Sequence, residues 1–218
     1  MRNYPDVLLD PSRAAIAIID HQPQMYFGVS GTSRGAIVNS AAMLMETAKA
    51  FSIPCVLTTV TAKSFSGDMI EELTNIFPGV TPIDRTSLNA WEDTNFRKAI
   101  EGTGKREIIL AGLWTEICVT LPALSMRHDG YKVYVATDAC GGSCKHAHKA
   151  ALVRMEQAGV VPITSQQALL EFQRDWNNKD TYAKVMSIVK QHGGAYGLGV
   201  EYSETMVAPK QPAMAGKR

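Results

Sequence analysis

The chain has 218 residues, enough for one α/β domain that buries about 70–75% of its unfolded surface. Lys and Arg total 22 against 21 Asp and Glu, and a net charge of +1 argues against a nucleic-acid protein held by bulk positive charge. With 45% hydrophobic and 20% charged residues the composition is that of a globular domain, and no apolar run approaches the roughly 18–20 residues that cross a bilayer.

Residues 1–6 show no apolar stretch after a basic start, so no secretory signal is expected. Four cysteines, at 55, 118, 140 and 144, are too few and too uneven for a disulfide scaffold, which points to free thiols in a reducing cytoplasm. The run from Ala14 to Ile19 is continuously apolar and ends at Asp20, as in a strand buried on both faces. Helical spacing follows over 35–50, then a β-branched strand over 54–60 and a short helix near 68–77. The segment 82–91 reads as a polar loop, 96–102 as a helix stopped by its glycine, and 107–112 as a third buried strand. A helix over 118–129, a strand over 132–137, a helix over 145–158 and a strand over 160–164 continue the rhythm, with further helices from about 166 and 181. Strands separated by helices predict a three-layer α/β/α Rossmann-like domain over 1–192 with a mostly parallel sheet. From 193 to 218 the periodicity stops, and an extended or disordered arm is expected.

Ligands of such sheets bind beyond the carboxyl ends of the strands, where Asp20, Thr58, Thr59, Thr115, Glu116, Cys118 and Asp138 stand. Asp20 reads equally as a catalytic carboxylate or as a satisfied strand-end cap. Cys118 follows a buried strand at the start of a helix, where free N–H groups favour a thiolate and could hold an oxyanion. The same position suits an inert buried thiol, so both readings stand. Arg85, Asn89 and Trp91 sit together in the polar loop, where surface or packing roles are the default. Cys140, Cys144, His146 and His148 crowd together, but their spacing is too compact for a two-knuckle zinc site, and no metal is expected. G-x-G-x-x-G, Walker and G-x-S-x-G sequences are absent, so neither a nucleotide cofactor nor a serine nucleophile is expected.

Asp20, the segment Gly112-Leu-Trp-Thr-Glu-Ile-Cys118-Val, the segment ending at Asp138, and Arg154-Met-Glu-Gln-Ala-Gly159 together resemble the isochorismatase-like cysteine hydrolase superfamily. Asp20-His21-Gln22, Arg85 with Leu88-Asn89-Ala90-Trp91, Leu121-Pro122-Ala123-Leu124-Ser125 and Arg174-Asp175-Trp176 are similar to its YcaC-like subgroup of octameric hydrolases. The resemblance implies a catalytic set of Asp20, Arg85 and Cys118, with Arg85 replacing the lysine of other branches. Arginine holds its proton, so its implied role is charge stabilisation. A cis peptide at Trp114–Thr115 is implied as well, with the N–H groups of Thr115 and Cys118 forming an oxyanion hole. Phe27, Asn89, Trp91 and Trp114 are the candidate substrate-binding residues. The D-x-H and further His of nicotinamidases are missing after the second strand, which speaks against their zinc site.

The function expected is metal-free, cofactor-free hydrolysis of a small amide, carbamoyl or related C–N compound through a thioester. The expected partners are that small molecule and copies of the chain, in a homo-oligomer up to an octamer, with neither nucleic acid nor membrane. A non-catalytic oligomeric binding or redox-sensing protein is the alternative. A Cys-His hydrolase using His21 or His128 ranks behind both.

Overall fold

The computed structural model describes residues 7–207. Six strands form one sheet: β1 (Ala14–Ile19), β2 (Cys55–Val60), β3 (Ile83–Arg85), β4 (Glu107–Gly112), β5 (Lys132–Ala136) and β6 (Val161–Ile163). Every pair is parallel, in the order β3-β2-β1-β4-β5-β6, so the chain starts in the middle and winds out both ways. That places the crevice between the carboxyl ends of β1 and β4, where strand order reverses.

Burial on both faces explains the unbroken apolar runs. Along β1, Ala14, Ile16 and Ile18 join the core beneath α2 (Arg34–Ala50) and α7 (Ser165–Gln173). Ala15, Ala17 and Ile19 face the opposite core, built with α4 (Thr94–Gly102), α5 (Thr120–His128) and α6 (Lys145–Gln157). Helix α8 (Lys179–His192) adds Val185, Ile188 and Val189 to a satellite cluster with Met43 and Leu169. Ser33 caps α2 through Ala36 N–H, and Asp93 caps α4 through the N–H groups of Asn95 and Phe96.

Three differences from the sequence reading matter. Residues 83–85, expected in a loop, form the edge strand β3, whose three-residue length gives no periodicity to detect. The short helix α1 (Pro23–Phe27) also escaped, while the helix expected near 68–77 is present but confined to α3 (Glu71–Thr74), followed by turns. Residues 194–202, expected in an extended arm, form α9 (Gly194–Tyr202), followed by a π-type turn at Ser203–Val207. Glycines at 194, 197 and 199 hide the helix from propensity, yet Gly197 fits because a Cβ there would stand 2.3 Å from the Val189 carbonyl oxygen. The remaining arm residues, 208–218, and the leader residues 1–6 lie outside the described residues.

Gly112 shows how tightly β1 and β4 approach. A Cβ there would lie 2.5 Å from the Ile19 carbonyl oxygen and 2.7 Å from the Ile19 Cβ. Gly112→Ala is expected to push the two central strands apart and cost about 1–3 kcal/mol, as overpacking does. Urea unfolding should show a lower midpoint.

Candidate active site

At the end of β1 the backbone leaves the sheet abruptly: Asp20 has a φ of 55°, a left-handed conformation that aspartate tolerates. Its N–H still donates to the Thr58 carbonyl of β2, so the residue is anchored while its side chain swings over the crevice. Arg85, the last residue of β3, reaches across β2 and grips both carboxylate oxygens. Nη1 meets Oδ1 and Nη2 meets Oδ2, each at 2.9 Å, and Nη1 also donates to the Thr59 carbonyl at 3.1 Å. Both side chains are wholly buried, at 0% exposure.

The third group comes from β4. Residues Thr115–Val119 form a single wide π-type turn leading into α5, and Cys118 in that turn is 5% exposed. Its thiol meets the Asp20 carboxylate in a hydrogen bond, and the Trp114 N–H is directed at its sulfur. Burial pushes the Cys118 thiol up to about 12, the Asp20 charge adds to the rise, and Arg85 and the Trp114 N–H oppose it. Burial likewise raises the Asp20 carboxyl, against the pull of Arg85 and the Cys118 hydrogen bond. The arrangement stores a proton between two groups that both resist charge, beside one fixed positive charge.

Two expectations about the turn need correction. The cis peptide lies at Leu113–Trp114, one residue before the expected bond. Thr115 N–H is not free to receive an oxyanion, because it donates to the Gly141 carbonyl at 3.0 Å. Thr115 is in fact locked throughout. Its carbonyl accepts from Thr120 Oγ1 at 2.6 Å, and its own Oγ1 meets His148 Nδ1 at 2.8 Å. Glu116 ties the neighbouring loop by accepting from Ser143 N–H at 2.9 Å.

The candidate substrate contacts divide. Trp114 is half-buried, with its indole N–H on the Met25 carbonyl at 2.8 Å and its ring against Gly28, where a Cβ would come within 2.2 Å. Asn89 spends every polar atom on structure: Oδ1 accepts from Trp91 N–H, and Nδ2 donates to Glu92 and Ser125. Trp91 donates its indole N–H to Asp129 at 2.7 Å and stacks edge-on against Tyr131, within the apolar cluster that includes Cys118. Phe27 is 72% exposed at the end of α1.

Gln22 is the positioning residue whose part the sequence reading did not assign. Its side chain accepts from Val60 N–H and donates to the carbonyls of Val60 and Gly67, closing the loop after β2 over the crevice. Its signals were a polar residue three places after the end of β1 and its place in the Asp20-His21-Gln22 segment of the resemblance. His21 is buried, with Nδ1 on the Tyr26 hydroxyl at 2.6 Å and no partner for Nε2, while His128 is exposed at the end of α5. Cys140 is buried in the core and Cys144 is exposed, its sulfur accepting from Ala147 N–H at the start of α6. With His148 turned to Thr115, the four closely spaced residues do not converge on one point.

Burial pushes His21 down to about 3, far below its unfolded value of roughly 6.5. A depressed histidine contributes stability that is complete above the unfolded value and lost as pH falls toward the folded one. Stability is expected to drop by at most about 1.4 kcal/mol per pH unit between about 6.5 and 3 from this group. Unfolding curves of the native chain and His21→Asn across that window should differ in slope.

A doubly wound parallel sheet with a carboxylate, a guanidinium and a thiol gathered at its reversal point defines the isochorismatase-like α/β hydrolase class. The Isochorismatase domain profile matches residues 14–167, and the chain belongs to that family. Within it the chain falls with the YcaC-like hydrolases. It is 37% identical to Escherichia coli K12 YcaC, described as a probable hydrolase, over 175 residues, 80% of this chain and 84% of the relative. YcaC from Pseudomonas aeruginosa, solved with hexane-2,5-diol and covalent acrylamide, superposes with a TM-score of 0.87 at 32% identity, covering 93% of this chain and 100% of the other. The E. coli YcaC structure, an octameric hydrolase of unknown specificity, gives 0.85 at 34% identity over 93% of this chain and 99% of its own. No helix among the described residues is long and apolar enough to cross a membrane.

Proposed function

We propose that the protein is a cysteine-dependent hydrolase of a small amide, carbamoyl or related C–N substrate. The observation that carries this reading is the shared contact of Asp20 with Cys118 on one side and Arg85 on the other. Asp20 takes the thiol proton, and the thiolate sulfur bonds to the substrate carbonyl carbon. The oxygen becomes an oxyanion in front of the N–H groups of Trp114 and Cys118, with Trp114 replacing the occupied Thr115 donor. Asp20 returns its proton to the leaving nitrogen, the C–N bond breaks, and a thioester remains. Water deprotonated by Asp20 then releases the acid and restores the thiol. Arg85 keeps its proton throughout and holds Asp20 in place.

The covalent acrylamide on the Pseudomonas relative supports the choice of probe, since acrylamide is both an amide and a thiol-seeking electrophile. The burial and raised thiol of Cys118 disfavour the redox-sensing alternative, which needs an accessible, readily ionised sulfur. Like the E. coli relative, the protein is proposed to be a homo-oligomer, up to an octamer, and light scattering would test this. The decisive experiment is an ammonia-release screen over small amides, ureas and carbamoyl compounds. Release in the native protein supports the reading, and release undiminished in Cys118→Ala sinks it.

A further inference from the structure

The crowded stretch 140–148 does not converge on a point of its own, but it grips the nucleophile turn at three places. The Gly141 carbonyl takes the Thr115 N–H at 3.0 Å, Ser143 N–H donates to Glu116 Oε1 at 2.9 Å, and His148 Nδ1 meets Thr115 Oγ1 at 2.8 Å. Gly142 makes this approach possible. A Cβ there would stand 2.7 Å from Glu116 Oε2 and 3.0 Å from the His148 backbone nitrogen, so no side chain fits between the turn and the start of α6. On the 140–148 side the first two contacts use loop backbone, and the third uses a side chain carried by a regular helix. His148 is the fourth residue of α6, anchored by its own N–H on the Cys144 carbonyl at 3.0 Å. Thr115 is wholly buried, and its hydroxyl has no partner but His148 among the described residues. It also opens the turn: Trp114, whose N–H is directed at the Cys118 sulfur, precedes it, and Cys118 lies three residues beyond.

We propose that His148 is a positioning residue for the nucleophile: by holding the Thr115 hydroxyl it fixes the Trp114 N–H and the Cys118 sulfur relative to Asp20. The inference rests on the reading of Asp20, Arg85 and Cys118 as the active centre and adds to it a residue from α6. With His148 in place, the N–H, the carbonyl and the hydroxyl of Thr115 are all bound, to Gly141, Thr120 and His148. Thr115 then cannot rotate without breaking a buried hydrogen bond. The chemistry is sensitive to such a movement, since a misplacement of about 1 Å in the reacting groups can cost about 100-fold in rate. His148 acts through Thr115, and the proton exchanged between Asp20 and Cys118 does not pass through it.

The test follows acrylamide addition to Cys118 by peptide mass mapping at neutral pH, in the full native chain and in His148→Leu, His148→Asn and His146→Leu. Leucine removes the ring nitrogen at similar bulk, whereas asparagine sets an amide that donates or accepts where Nδ1 stands. His146 is exposed two residues earlier and serves as the control. His148→Leu is expected to slow the addition at least about ten-fold, with His148→Asn within about three-fold of native and His146→Leu unchanged. A loss of stability alone moves the rate the other way, because opening the fold exposes the buried thiol and lets it ionise near its ordinary value of about 8.5. A rate in His148→Leu that is unchanged or faster, or a slowing shared by His148→Asn or His146→Leu, would overturn the proposal. If the leucine variant does not fold, His148→Gln takes its place. Its amide reaches the Nε2 position, past Thr115, and is expected to slow the addition where asparagine does not; equal rates in the two overturn the proposal. Failure of the underlying reading looks different: native Cys118 then takes no adduct, or Asp20→Asn takes it as fast, and the role of His148 falls with it.

Discussion

Cys118→Ala is expected to abolish turnover, by on the order of 10³-fold or more, while leaving the fold in place. Removing one sulfur from a nearly buried site costs about 1 kcal/mol, well within what a domain of this size tolerates. The loss should also be visible without a substrate. Acrylamide is expected to add to Cys118 in the native chain, and peptide mass mapping should place that adduct separately from any on exposed Cys144. Because burial holds the thiol near 12, almost no thiolate exists at neutral pH unless Asp20 removes the proton. Asp20→Asn should therefore slow labelling of Cys118 sharply at pH 7, and each unit of added pH should then recover about ten-fold. In the native protein the dependence runs the same way but belongs to Asp20: as pH falls through its raised value, the carboxyl fills with a proton and both labelling and turnover decline.

The largest stability effect is expected from Arg85→Met. It leaves the Asp20 carboxylate fully buried with its two best hydrogen bonds gone, and breaking such a pair from one side typically costs about 3–5 kcal/mol. The variant should respond to pH. Without Arg85 the pull that restrains the Asp20 carboxyl is gone, so its folded value climbs further above the unfolded one of about 3.9. A raised carboxyl holds its proton in the folded state, so the variant is best tolerated at low pH and loses stability as pH rises through the folded value. Chemical unfolding at pH 5 and pH 8 should show the larger deficit at pH 8. Combining Arg85→Met with Asp20→Asn removes both charges and should recover most of the loss.

The sheet was legible because β1 and most of β4 read as buried apolar runs, while β2 and β5 read as short stretches rich in β-branched residues. Strand β3 was not, since Ile83-Asp84-Arg85 is too short to establish an alternation. Arg85 was accordingly placed in a loop, and only the resemblance carried it to the site. Asp20 and Cys118 were legible by position, each standing just past a central strand. The donor pattern of the turn was not. Whether Thr115 or Trp114 offers its N–H depends on Gly141, a residue from the far side of β5 whose carbonyl claims Thr115. Asn89 and Trp91 show the same limit in reverse. Their residue types suit a binding loop, but tertiary partners in α5 and just beyond it absorb their polar atoms.

The winding of the sheet divides the active centre between its two halves. Asp20 and Arg85 lie 65 residues apart, on strands that form one half of the sheet, and their pairing needs only β1, β2 and β3. Both members of the ion pair are thus synthesised before Cys118. The nucleophile belongs to the other half, following β4, which pairs along the other side of β1 from Ala14–Glu107 to Ile19–Gly112. In sequence order the proton acceptor precedes the sulfur it is proposed to deprotonate, and a truncated product lacking β4 would carry Asp20 and Arg85 but not Cys118.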